Sequence, residues 1–339
     1  MLASAYFSSK APACYQAKDT KMKIVILDGR TTNPGDTAWD LIANLGDLTV
    51  YDKTPADKTL ERAADADIII TNKTQLNEQT LRALPNLKMI SILATGYNTV
   101  DVKVARELGI DVSNVPEYST SSVAQHVFAL MLELCLHIGD HDNAVHAGQW
   151  SQSEDFSFHL GNLIELEGKT LGIFGFGKIG ARIAKIAAAF GMKVIATTRS
   201  EKPLPAIEGF EFVSLDELLS RSDFVSLNCP QTPETTDLVN KEFLAKMKPS
   251  AMLINCARGG VVVDQDLVDA LNTGVIAGAG IDVASVEPLP ADSCLLEADN
   301  LIITPHIAWA PLAARKRLVK TTADNVAAFI AGSSQNLVN

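Results

Sequence analysis

Four short stretches of this chain hold residue types whose chemistry is complementary. Gly175-Phe176-Gly177-Lys178-Ile179-Gly180 is a G-x-G-x-x-G turn between an apolar run (170–174) and a helix-like stretch (181–190). A strand-like run, 194–197, follows. In that context the turn is a dinucleotide site: Gly175 for the tight turn, Gly177 for close approach to a pyrophosphate, Gly180 for packing of helix on strand. Asn255-Cys256-Ala257-Arg258-Gly259 puts an Arg at the end of an apolar strand. Asp282 stands at the end of another, with Glu287-Pro288 beyond it, and Thr304-Pro305-His306 ends a third. Moving a hydride to or from a carbon that bears oxygen needs a proton partner, and a His suits that task. A carboxylate on the other ring nitrogen orients the imidazole and favours its protonated form. An Arg fork binds a carboxylate through two bonds and polarises the neighbouring carbonyl.

These residues need elements that bring strand ends together. From Lys23 onward, apolar runs alternate with helical stretches. Strands are predicted at 24–27, 48–51, 68–70 and 89–93, with helices at 38–45, 60–64 and 76–84. Continuous apolar strands alternating with helices argue a parallel sheet covered on both faces. A long helical stretch at 119–148 precedes a second set of six strands that begins at the glycine turn. A final helix at about 312–330 returns to the N-terminal domain. The fold class is therefore α/β, with two doubly wound parallel sheets. In an open sheet of this kind ligands bind outside the carboxyl ends of the strands, which aims Arg258, Asp282, Glu287 and His306 at the crevice of the glycine turn.

Composition narrows the partners. The chain has 339 residues, enough for two domains, with 47% hydrophobic residues and a net charge of −11. No long basic run is present, so nucleic acid and anionic membrane surfaces are poor partners. The most apolar helical segment, 127–138, is too short to span a bilayer. Five scattered cysteines lack C-x-x-C spacing and read as thiols of a reducing, cytoplasmic compartment; no metal site is expected. Residues 1–21 have no clean period and lie before a second Met, Met22. They are read as a disordered extension, a remnant of cloning or an overlong start.

The motifs in this order resemble the D-isomer-specific 2-hydroxy acid dehydrogenase family, from Met22 to about residue 335. The resemblance implies two Rossmann-like domains, a substrate domain (22–118 and 306–335) and an inserted NAD(P)-binding domain (119–305). It implies that Arg258 binds the substrate carboxylate, that His306 is the acid/base, and that Glu287 is its partner. Asp282 would hold the nicotinamide carboxamide, and Val123 would lie against the nicotinamide face. The other cofactor contacts it implies are Cys229, Pro230 and Thr235 with Cys256, Ala257 and Ala308. The loop 94–98, through Thr95 and Gly96, is similar to the family's carboxylate-binding loop. The runs 118–126 and 305–310 are most similar to the glycerate dehydrogenase/hydroxypyruvate reductase branch, which makes Trp309 a substrate-side residue and hydroxypyruvate and D-glycerate the expected pair. A homodimer is implied as well, through the crowded apolar residues of the 119–146 stretch.

One departure bears on the coenzyme. NAD enzymes carry an acid about 20 residues past the glycine turn, where it binds the ribose hydroxyls. Here the run is Thr197-Thr198-Arg199-Ser200. Without the acid a 2′-phosphate is not repelled, and Arg199 attracts it, so NADP is preferred over NAD; Glu201 is the alternative ribose ligand. Other functions stay open at this point: D-3-phosphoglycerate dehydrogenase, formate dehydrogenase (for which Glu287 would be Gln), and an NAD-sensing corepressor on the same fold.

Overall fold

The computed structural model describes residues 21–200 and 202–339, which form two compact units. One takes the described chain up to Pro116 and resumes at Leu318–Asn339; the other is Glu117–Arg317. Residues 306–317, which the sequence reading gave to the first domain, therefore cluster with the second. They are held there by long-range bonds: Asp282 accepts the amides of Ile307 and Ala308, and Arg317 Nε donates to the Tyr118 carbonyl at 2.9 Å. The N-terminal extension (1–20) and Glu201 lie outside the described residues.

The first unit carries five parallel strands, β1 (Lys23–Ile26), β2 (Asp47–Val50), β3 (Ile68–Thr71), β4 (Met89–Ile92) and β5 (Asp111–Ser113), in the order β2-β1-β3-β4-β5. β3 and β4 are buried along their whole length, Thr71 and Ser91 included, in keeping with their largely apolar sequences. Two of the three predicted helices between strands are shorter than expected. Thus 76–84 becomes Glu78–Arg82, because Asn77 caps its start by accepting the Thr80 amide and Leu76 pairs with Val100 instead.

The second unit carries β6 (Thr170–Phe174), β7 (Lys193–Thr197), β8 (Glu211–Phe212), β9 (Phe224–Leu227), β10 (Met252–Asn255), β11 (Gly278–Ile281) and β12 (Leu301–Ile303). Their order is β12-β11-β10-β9-β6-β7-β8, all parallel. The strand beyond the expected six is β8, a two-residue edge strand with no apolar run to announce it. Both faces of this sheet are covered. Ile254 points into a core shared with the helices Thr120–Leu136 and Lys178–Ala189, while its neighbour Leu253 points into the opposite core with Leu218 and Leu267. The strand order reverses between β6 and β9, which is where such sheets open a crevice.

The predicted 119–148 helix is two helices, Thr120–Leu136 and Ile138–His146, bent by 56°. His137 between them is left-handed (φ 49°), its amide closes on Glu133 O, and Glu133 Oε1 takes the Gly139 amide at 3.0 Å. A side-chain acceptor thus starts the second helix in a new direction, a feature that hydrophobic periodicity does not register. No single helix among the described residues is long and apolar enough to cross a membrane.

Both sheets are pinned by the same device. Asp67, before β3, accepts the amide of Lys23 at the start of β1 and the ammonium of Lys88 before β4. Asp223, before β9, accepts the amide of Thr170 at the start of β6 and the ammonium of Lys248 before β10.

Candidate active site

The glycine turn joins β6 to the Lys178–Ala189 helix. Gly175 has φ 93°, and a Cβ there would stand 2.9 Å from the Asn228 carbonyl group, so neither the conformation nor the space admits a side chain. A Cβ on Gly180 would stand 2.7 Å from Gly175 O, which makes the helix and turn one tight unit. Gly177, by contrast, faces open space: nothing lies within 4 Å of its Cβ position. The helix that follows has no side-chain cap at Gly177, so its first N–H groups and positive end face that space. This arrangement fits a pyrophosphate. Phe176 is buried, Ile179 half-buried, and Lys178 exposed and paired with Glu117.

Thr198, Arg199 and Ser200 follow β7, the neighbouring strand, with Arg199 and Ser200 exposed. The Arg199 charge acts on both Cys229 and Glu234; Glu234 is held below the usual carboxylate range by the Thr232 hydroxyl, its own amide and Arg199, and the Cys229 thiol is pushed up by burial. Lys202, which the sequence reading passed over, reaches back to the Phe176 carbonyl at 2.6 Å. Lys202 is thus tied directly to the glycine turn. Thr235 closes the segment 230–235 by donating to the Pro230 carbonyl at 2.7 Å and accepting the Thr232 amide at 2.8 Å.

At the other strand ends, Arg258 leaves β10 in extended conformation and is half-buried. Asn255 shapes this turn, taking the Ala257 amide and giving its own amide to the Arg258 carbonyl, both at 3.0 Å. The next residue must be Gly, because a Cβ on Gly259 would overlap the Ala284 carbonyl at 1.8 Å. The Arg258 turn is therefore pressed against the loop that carries Glu287. Tyr118 is close enough to feel the Arg258 charge; burial pushes its phenol up to about 12, against the Ser119 bond and Arg258. Glu287 Oε1 takes the Ala284 amide at 3.2 Å, and Oε2 meets His306 Nδ1 at 2.7 Å. His306 and Glu287 are each about one-third exposed, so the pair can be reached from solution yet is shielded enough to be strong. Cys256, beside Arg258, is pushed far up by burial and by the Asp282 charge, so its thiol stays neutral.

Asp282 is fully buried and already committed to the protein. Oδ1 accepts the Thr304 hydroxyl at 2.6 Å and the Ile307 amide at 2.8 Å, and Oδ2 accepts the Ala308 amide at 2.8 Å. A carboxylate has about four acceptor sites, so Oδ2 keeps capacity for a carboxamide donor. Ala308 and Val123 are buried and Trp309 is half-buried. His126 and Thr304, for which the sequence suggested no role, join this group. In the first unit, Thr95 donates to the Val115 carbonyl at 2.9 Å, and its own carbonyl accepts from Asn114 at 2.7 Å, which fixes the start of the loop after β4; Gly96 is half-buried. Among the described residues no group of three or more His, Cys, Asp and Glu is placed to hold a metal ion.

The chain is similar to known proteins. Residues 128–308 match the model of the D-isomer specific 2-hydroxyacid dehydrogenase NAD binding domain. The chain is 49% identical over 321 residues to a hydroxypyruvate reductase of Blautia hydrogenotrophica, covering 94% of this chain and all of that one. It is 41% identical over 284 residues to a glycerate dehydrogenase of Methylorubrum extorquens, covering 83% and 88%. The solved structure of an NADPH-dependent glyoxylate/hydroxypyruvate reductase from Sinorhizobium meliloti superposes with a TM-score of 0.81 at 27% identity, covering 94% of this chain and 98% of that one. The second unit thus contains a nicotinamide dinucleotide-binding domain. With sequence, fold and matched domain in agreement, the chain belongs to the D-isomer specific 2-hydroxyacid dehydrogenase family.

Proposed function

We propose that the protein reduces hydroxypyruvate to D-glycerate, and related short 2-keto acids to their D-2-hydroxy acids, with NADPH preferred over NADH. The likeness to hydroxypyruvate reductase over that relative's full length is the observation that carries the substrate assignment. The chemistry rests on the site. When bound, the reduced nicotinamide supplies a hydride to the keto carbon. Arg258 binds the substrate carboxylate and polarises the adjacent carbonyl. Glu287 holds His306 by Nδ1, so that Nε2 delivers the proton to the carbonyl oxygen. Val123 and Ala308 line the nicotinamide site, and Asp282 accepts its carboxamide through the remaining capacity of Oδ2. Trp309 closes the substrate side.

Coenzyme preference rests on Thr198 in place of an acid and on the cations Arg199 and Lys202 beside the turn. The crowded apolar residues expected to carry the assembly, among them Val127, Phe128, Leu130, Met131 and Leu134, are buried in the second unit's own core, so assembly rests instead on exposed apolar side chains of that unit: Ile138 is 57% exposed, Trp150 53%, Phe156 90% and Leu163 50%. Large apolar side chains left this exposed are material for an interaction surface, and a two-fold homodimer would cover them. The free thiols at Cys135, Cys229, Cys256 and Cys294 support a cytoplasmic setting. The decisive experiment is a turnover panel of hydroxypyruvate, glyoxylate, pyruvate and 3-phosphohydroxypyruvate, each with NADH and NADPH. Hydroxypyruvate with NADPH is expected to give the highest kcat/KM. A higher value for 3-phosphohydroxypyruvate would move the protein to the phosphoglycerate branch, and a higher value with NADH would overturn the coenzyme assignment.

A further inference from the structure

The backbone of His306 is in an uncommon state. Its φ is 56°, the left-handed region that a residue with a side chain enters only when its surroundings impose it. The imposing groups straddle it. Thr304, two residues before, donates its hydroxyl to Asp282 Oδ1, and Ile307 and Ala308, just after, donate their amides to the same carboxylate. One buried carboxylate therefore sets the position of the proposed proton donor. A further residue reaches this brace from another element. His126 Nε2 lies 2.8 Å from Thr304 Oγ1 and 3.4 Å from Asp282 Oδ1.

The direction of these bonds follows from donor counting. An ionised carboxylate only accepts, so the single proton of the Thr304 hydroxyl is committed to Asp282. Thr304 Oγ1 can then only accept from the ring, and His126 must carry a proton on Nε2. The chain runs His126 Nε2–H to Thr304 Oγ1–H to Asp282 Oδ1. His126 stands where it does because its helix comes unusually close to the sheet. Leu130, one turn further along, lies over Gly280 of β11, and a Cβ on Gly280 would be only 2.9 Å from the Leu130 Cβ. That approach puts His126 at the carboxyl end of β11, where Asp282 emerges.

We propose that His126, acting through Thr304, is a positioning residue for His306: it orients the hydroxyl that ties the His306 loop to Asp282. Its expected signature is on kcat rather than on coenzyme binding, because a small displacement of a proton donor slows the chemical step. This rests on the role given to His306 above. Gln places a side-chain N–H near the position of His Nε2, and Leu cannot donate.

The test uses the full-length enzyme with hydroxypyruvate and glyoxylate. His126→Leu and Thr304→Val are each expected to lower kcat by about tenfold to a hundredfold, with the dissociation constant for NADPH, read by fluorescence, changed by less than about twofold. His126→Gln and Thr304→Ser are expected to restore most of the rate. The double variant His126→Leu/Thr304→Val should be no slower than either single variant, since both break one chain. Parental kcat in His126→Leu, no rescue by Gln, or multiplying losses in the double variant would each overturn the proposal. If His126→Leu does not fold, the Thr304→Val and Thr304→Ser pair decides it. If the parent enzyme turns over none of the 2-keto acids, the functional reading fails separately. The ring ¹⁵N resonances of His306 in parent and His126→Leu or Thr304→Val then decide the positioning role, and unchanged resonances would refute it.

Discussion

At the residue scale the site is a division of labour among groups from separate strand ends. Arg258 supplies a planar fork, so Arg258→Lys keeps the charge and loses the paired geometry. Its kcat/KM for the 2-keto acid is expected to fall by roughly 30-fold to several-thousand-fold, the equivalent of about 2–5 kcal/mol for a charge-assisted bond to a buried anion. Coenzyme affinity should survive, and parental steady-state kinetics would remove Arg258 from the site. Glu287 meets His306 Nδ1 at 2.7 Å. Glu287→Gln keeps an acceptor for the ring and removes the charge that favours the imidazolium. Reduction is expected to slow by about tenfold to a hundredfold, as for one lost charge-assisted bond of about 1.5–3 kcal/mol. A reduction rate equal to the parent's would show that the carboxylate does not act through His306.

At the element scale, the braces of Asp67 and Asp223 explain how loops with little apolar content hold strands in register. Burial alone would push the Asp223 carboxyl up. The Lys248 ammonium and the Thr170 amide bonded to it, with the charges of Lys248 and Lys169, outweigh burial and hold it below the ordinary aspartate range. A folded value below the unfolded one means that the ionised carboxylate stabilises the fold above the ordinary aspartate range. That contribution is lost as pH falls through the depressed folded value. Asp223→Asn is therefore expected to melt lower than the parent at neutral pH. The gap should be about 2–4 °C, corresponding to about 1 kcal/mol for a partly solvent-screened brace, and should narrow as pH falls through the depressed folded value. Calorimetric melts across an acid pH series check it; a gap that does not narrow in acid would assign the effect to packing instead of charge.

At the scale of the whole molecule, the bent helix pair and the loop after it leave Ile138, Trp150, Phe156 and Leu163 in water. A two-fold partner presenting the same surface is the simplest way to bury them. Light scattering at micromolar concentration is expected to give twice the 36.3 kDa chain mass. Phe156→Glu should shift the mass toward that of the single chain. A monomeric parent would contradict the assembly and leave the patch to another partner.

Much of this was legible in the residues because the relevant signals are local. Unbroken apolar strands alternating with helices declare a parallel α/β fold within windows of ten residues. The glycine turn is recognisable between β6 and its helix because its backbone demands are met by adjacent residues. His306, Glu287, Asp282 and Arg258 stand out because each is a polar residue at or just beyond an apolar run, and the strand-end rule then gathers them. Tertiary structure decided the rest. The left-handed turn at His137 bends a stretch whose apolar pattern runs on unbroken. Residues 306–317 cluster with the second unit through bonds to Asp282 and Tyr118, which no local pattern announces. Lys202 reaches Phe176 across 26 residues and His126 reaches Thr304 across 178. The second of these contacts depends on how closely a helix settles on a sheet, and that distance is set by Gly280, a residue without a side chain. Periodicity reports which face of an element is buried; it carries no record of the polar group waiting on the other side.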